Sequence, residues 1–148
     1  MSIVNMHSME ILKNQHKVVI EMTTKILSLL TRDPFASEID NISISLRILA
    51  GKVREHLALE DREIYPRLML FGDNAIVSLI TDYKNDIGKL LPRFNFYIET
   101  WLNKTKIQNS SIDFIKETNE ILNALLQRIE TEDKELYPLI EKLNAINT

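Results

Sequence analysis

The eleven residues from His56 to Pro66, HLALEDREIYP, recur 72 positions later from Arg128 to Pro138 as RIETEDKELYP. Five aligned pairs are identical: Glu60/Glu132, Asp61/Asp133, Glu63/Glu135, Tyr65/Tyr137 and Pro66/Pro138. Arg62/Lys134 and Ile64/Leu136 are conservative. A repeat of this period requires two related supersecondary units. The surrounding pattern says which kind, because apolar residues return at alternating steps of three and four, the period of a helix with one buried face. Turn signals at Asp33-Pro34, Phe71-Gly72-Asp73-Asn74 and Asn109-Ser110-Ser111 cut the chain into four such segments. Two helix hairpins in tandem predict an all-α fold, an antiparallel up-down-up-down four-helix bundle, as one domain over residues 1–148. At about 1.5 Å per residue it should be roughly 30–50 Å long.

Each segment carries one stripe. The first, from about Ser8 to about Leu30, places Leu12, His16, Val19, Thr23, Ile26 and Leu30 on one face. The second, about Ser37 to Leu70, places Ile42, Leu46, Leu49, Val53, His56, Glu60 and Ile64. The third, about Asn74 to Asn103, runs through Ile76, Ile80, Tyr83, Ile87, Leu90, Phe94, Ile98 and Trp101. The fourth, about Ser111 to Leu143, runs through Ile121, Leu125, Arg128, Glu132, Leu136, Leu139 and Leu143. Pro66, Pro92 and Pro138 each remove a backbone bond and should kink or end their helices.

Composition narrows the chemistry. With no cysteine, disulfide scaffolds, iron–sulfur clusters, thiolate zinc sites and cysteine nucleophiles are excluded. Only three glycines leave no glycine-rich phosphate loop. A net charge of −3 argues against nucleic acid as a partner. No apolar run reaches the roughly 18 residues of a membrane span, and the amino terminus has neither a basic region nor an apolar core of a leader. The expectation is a cytoplasmic protein.

A polar residue on a buried stripe is more informative than an apolar one. His16, His56, Glu60, Tyr83, Arg128 and Glu132 are six such residues, and antiparallel helices can bring them into one layer. His56 and Glu60 are one turn apart on the same face, a spacing that suits a shared ion. Two buried carboxylates demand cations. His7 lies nine residues before His16, about 900° around a helix, and so on the opposite, solvent-facing side. Tyr65 and Tyr137, each before a proline, are expected to be packing residues, and Trp101, Phe94 and Phe96 core or rim aromatics.

His16, H56-LAL-E60, Tyr83, R128-IET-E132 and the two E-D-x-E-x-Y-P tails resemble the hemerythrin-like, or HHE cation-binding, domain over nearly the whole chain. That family pattern is a histidine on the first helix, HxxxE on the second, a histidine on the third and HxxxE on the fourth. The resemblance implies a four-helix bundle with a non-haem di-iron centre, bridged by carboxylates and capped by histidines. Members bind oxygen, respond to nitric oxide or redox stress, sense iron, or store it. Here Tyr83 and Arg128 stand where the histidines of the second hairpin are expected, while His16 and His56 of the first hairpin remain.

Three states of the layer follow. In the first, His16, His56, Glu60 and Glu132 hold one metal, iron foremost, with manganese or zinc also suited to this donor set, and Arg128 bridges the free carboxylate oxygens in place of a second cation. In the second there is no metal, and Arg128 pairs with both glutamates. In the third, two irons bind with Tyr83 as a phenolate ligand, against the repulsion of a guanidinium that cannot ligate. No residue pair demands catalysis. One bundle with a charged internal layer points to sensing or regulation of iron, oxygen or redox stress, with a regulatory protein partner.

Overall fold

A computed structural model describes residues 3–146. Among them there are helices and turns but no strand. Helix α1 spans Met6–Leu29, α2 Ile39–Leu59, α3 Tyr65–Phe71, α4 Asn74–Trp101, α5 Lys104–Asn109, α6 Ser111–Thr131 and α7 Tyr137–Ile146. A 3-10 turn at Phe35–Glu38 leads into α2. Side-chain caps set several starts by occupying backbone N–H groups that have no helical partner. Asn5 accepts from the His7 amide at 2.7 Å, Asp73 from Ile76 at 2.9 Å, and Asn103 from Thr105 and Lys106 at 2.9 and 3.3 Å. The last of these caps starts α5 inside what the sequence offered as a connection. Ile107, fully buried, anchors it.

Single π-helical turns join α2 to α3 at Glu60–Ile64 and α6 to α7 at Glu132–Leu136. They coincide with the two copies of the repeat. The Tyr65 amide donates to the Glu60 carbonyl and the Tyr137 amide to Glu132, five residues back rather than four. The cause is the proline that follows each tyrosine. Its ring would strike the carbonyl four residues earlier in a regular helix and it has no N–H to give. Widening the preceding turn by one residue lets the helix continue. Pro66 and Pro138 therefore neither end their helices nor break them outright, and Pro92 lies inside α4.

The helices form a bundle. Helix α1 packs on α2 and α6, and α4 packs on α2, α3 and α6. The stripes read from the sequence face inward, apart from Ile87, Leu90, Leu139 and Leu143, which are half-buried near the margins. Two apolar cores result. One is built around Ile26, Leu49, Phe94, Phe114 and Leu122, the other around Leu12, Ile64, Leu68, Ile80 and Ile140. Each fully buried aliphatic side chain contributes about 1.5–3 kcal/mol relative to exposure. Between the α3 and α4 helices the chain turns at Gly72, where a Cβ would lie 2.5 Å from the Leu68 carbonyl oxygen and 2.6 Å from Ile76 Cγ2, so only glycine fits without backbone movement. No helix among the described residues is long and apolar enough to cross a membrane.

Candidate metal centre

The polar stripe residues lie where the two cores meet. On α1, His16 stands between Leu12 of one core and Val19 of the other. His56 closes α2, and Glu60 opens the first π turn. Arg128 is in the last turn of α6, and Glu132 opens the second π turn. All five are buried. One nitrogen or oxygen from each of His16, His56, Glu60 and Glu132 lies within 4.8 Å of the others.

The imidazoles are oriented from outside. His16 Nδ1 is 2.6 Å from Asp133 Oδ1, and His56 Nδ1 is 2.8 Å from Gln15 Oε1. Each Nδ1 therefore carries the hydrogen and donates it, which leaves both Nε2 lone pairs facing inward. They face each other at 2.9 Å. Two lone pairs at that distance repel unless a proton or a metal ion stands between them. His56 Nε2 is also 2.9 Å from Glu60 Oε1, while Glu132 Oε2 lies 3.7 and 3.9 Å from the His16 and His56 Nε2 atoms. Ligands about 2.0–2.1 Å from a single ion stand about 3.0–3.4 Å apart, which these separations bracket. Glu132 Oε2 is buried without a hydrogen bond, an acceptor aimed at the same space. Two imidazoles and two carboxylates suit Fe(II), Mn(II) or Zn(II). The residues present fit a metal ion.

Both repeat tyrosines take part. Tyr65 donates to Glu60 Oε2 at 2.8 Å, and Tyr137 lies 3.0 Å from His16 Nε2 and 3.3 Å from Glu60 Oε1. The Tyr137 ring also stacks on His16, centroids 4.8 Å apart. The extra residue of each π turn sets these contacts, since it brings Tyr65 round to the carboxylate five positions before it. Reading Tyr65 and Tyr137 as packing residues captured their burial and missed their hydroxyls. Asp133 was visible only as a repeated residue, and Gln15 carried no signal beyond standing next to His16.

Arg128 does not bridge the carboxylates. Its Nη2 donates to the Tyr83 carbonyl at 3.1 Å, its guanidinium stacks over the Tyr83 ring at 4.2 Å, and Nη1 reaches Asp86 at 3.7 Å. Its Nε is buried without a hydrogen bond, 4.0 Å from Glu132 Oε1, and it forms no ion pair with Glu60. The Arg–Glu network expected of a metal-free layer is thus reduced to one long ion pair. The guanidinium turns away because the Tyr83 ring and carbonyl offer it a hydrogen bond and a cation–π face together. Tyr83 spends its hydroxyl on Glu135 Oε2 at 3.0 Å, and burial, with that carboxylate, pushes its pKa upward. Both features oppose a phenolate ligand. His7 is exposed, as its register requires.

In the absence of metal the charges are tightly coupled. Burial pulls the His56 pKa down, but the carboxylates of Glu132 and Glu60 outweigh it and raise it to about 10. Burial, then the charge of Glu132, raises Glu60 to about 7. Glu132 moves the other way: burial opposes ionisation, and the two imidazoles overcome it and hold the carboxyl below its usual range. A raised folded pKa contributes stability at low pH that disappears as pH climbs through the folded value, and a lowered one contributes stability that disappears on acidification. His56 and Glu60 therefore both make the metal-free protein lose stability toward high pH, whereas Glu132 protects it above the ordinary carboxylate range. Scanning calorimetry with a chelator present should show Tm highest near about pH 5 and lower by at least about 5 °C at pH 9. A flat profile between those pH values would contradict the burial of this charge cluster.

No curated protein and no solved structure matches the chain. The family model of the hemerythrin HHE cation binding domain matches residues 7–140, which include every residue of the centre. The HxxxE segment at His56 with its RxxxE counterpart at Arg128, the tyrosine–proline tails and the buried His/Glu cluster have the same account: the chain belongs to the hemerythrin HHE cation-binding domain family.

Proposed function

We propose that His16, His56, Glu60 and Glu132 hold one divalent transition-metal ion, iron foremost, within a single antiparallel four-helix domain, and that its occupancy serves sensing or regulation of iron, oxygen or redox stress. The pair of Nε2 atoms at 2.9 Å carries this reading, because their Nδ1 partners have turned both lone pairs toward one point. A bound iron would supply redox and Lewis-acid chemistry. The chain's own residues would fix the ligands: Asp133 and Gln15 set the histidine tautomers, and Tyr65 and Tyr137 hold Glu60.

One ion is favoured over two because position 128 offers a guanidinium, which cannot ligate and repels a neighbouring cation. Regulation is favoured by location. The centre joins α1 to both π turns at the meeting of the two cores, so filling it changes packing on several helices at once. That repacking would be read by a regulatory protein partner. Purification without a metal-affinity step, followed by Fe(II) loading under anaerobic conditions and elemental analysis, should give about one equivalent per chain. Less than half an equivalent of any transition metal would overturn the proposal. The 2.9 Å separations of His56 Nε2 from His16 Nε2 and from Glu60 Oε1, which a proton on His56 would also satisfy, support a second reading in which that proton takes the cation's place. The same measurement separates the two.

A further inference from the structure

Between α4 and α6 the surface opens into a cleft of about 300 Å³ whose polar lining is Asp86, Lys89, Arg93, Gln127, Arg128 and Thr131. Its size is at the lower bound of small-molecule sites. Its charge runs against the chain's own. Three cations against one carboxylate leave it clearly positive in a protein whose net charge is −3. Lys89 and Arg93 are exposed and make no ion pair among the described residues. Arg128 forms the floor. It is more than nine-tenths buried, and Nη2 alone of its three nitrogens makes a hydrogen bond. Nη1 is met only by the carboxylate of Asp86, itself a lining residue, at 3.7 Å, and Nε is buried with no hydrogen bond.

A buried guanidinium with unused donors, at the base of a cleft lined by two unpaired cations, is suited to a doubly charged oxyanion. We infer that this cleft binds phosphate, free or as a small phosphomonoester, with Arg128 and the Lys89 and Arg93 side chains as its donors. The anion displaces Asp86 from Nη1. The site also touches the metal centre, since Arg128 Nε is 4.0 Å from Glu132 Oε1. Neutralising the guanidinium removes a positive charge from beside a metal ligand, so anion and metal should tighten one another's binding, by the same factor in both directions. This coupling rests on the metal reading, whereas anion binding itself does not.

Isothermal titration of the metal-free protein at low ionic strength tests it, with inorganic phosphate and, separately, glycerol 3-phosphate. Saturable one-to-one binding of either is expected, and the tighter of the two identifies whether the ligand is the free ion or an ester. Lys89→Glu/Arg93→Glu, both on the surface, should weaken that binding at least tenfold, and Asp86→Asn should tighten it several-fold. Circular dichroism should leave both variants folded. Absence of saturable binding by either ligand, or indifference to all three substitutions, would overturn the inference. If phosphate binds but its affinity is unchanged by Fe(II) that elemental analysis shows to be bound, the cleft and the metal reading stand and the coupling is overturned; if no metal is bound, the metal reading fails and the cleft stands.

Discussion

Replacing His56 with alanine is expected to lower metal affinity by at least about 100-fold, since even the loss of a residue that merely orients a ligand costs 10–100-fold. The same substitution should destabilise the metal-free protein by about 3–5 kcal/mol, because it leaves two buried carboxylates without the imidazolium between them. Glu60→Gln separates these effects. Burial and the charge of Glu132 raise the Glu60 pKa to about 7, so below that pH an amide of the same shape removes a ligand without creating an unpaired charge. Its metal affinity should fall similarly while its urea midpoint stays at or above that of the wild type. Metal titration and urea unfolding, run on both variants with a chelator in the unfolding experiment, give the outcome. If His56→Ala retained an equivalent of metal, the ligand set would be wrong; if Glu60→Gln unfolded as readily as His56→Ala, the charge balance would be wrong.

The second large effect concerns metal number. Arg128 occupies the position in the second repeat that His56 occupies in the first, one turn before the glutamate. The double variant Tyr83→His/Arg128→His should raise the stoichiometry from about one ion per chain to about two. It removes the repelling guanidinium and supplies two neutral imidazoles on the side of Glu132 that Arg128 now approaches. Elemental analysis after anaerobic Fe(II) loading is the measurement. A folded double variant that still binds one equivalent would show that the side chains at 83 and 128 do not control the number of ions. Arg128→Met alone should fold and melt much as the wild type, since the guanidinium approaches Glu132 only at 4.0 Å and forms no ion pair with Glu60.

The fold was legible because burial and helical period are local properties of the chain. A stripe such as Ile42, Leu46, Leu49, Val53 has only one solution, a helix with that face inward. The buried His/Glu cluster was legible for a related reason. A charge is tolerated on such a stripe only when something compensates it, so His16, His56, Glu60 and Glu132 stood out against the apolar residues around them. Arg128 shows the limit of that reasoning. Its burial followed from register, but its partners did not, because a long side chain rotates about several bonds and can choose between Glu132 and the Tyr83 ring with little change in backbone. Gln15 was hidden for the same kind of reason: a hydrogen bond across forty residues of sequence leaves no period.

The tails of the repeat divide the two sources of information most clearly. From sequence alone, E-D-x-E-x-Y-P twice over determined that two hairpins share a design, that the carboxylates of Glu60 and Glu132 occupy equivalent places, and that proline disturbs each helix shortly afterwards. Only the tertiary structure decided that the disturbance is a π turn, and that it aims Tyr65 and Tyr137 at Glu60. It likewise decided that the histidines meet through Nε2. Register and burial are written along one helix; the direction of a hydroxyl or an imidazole nitrogen depends on which groups the other helices bring to meet it.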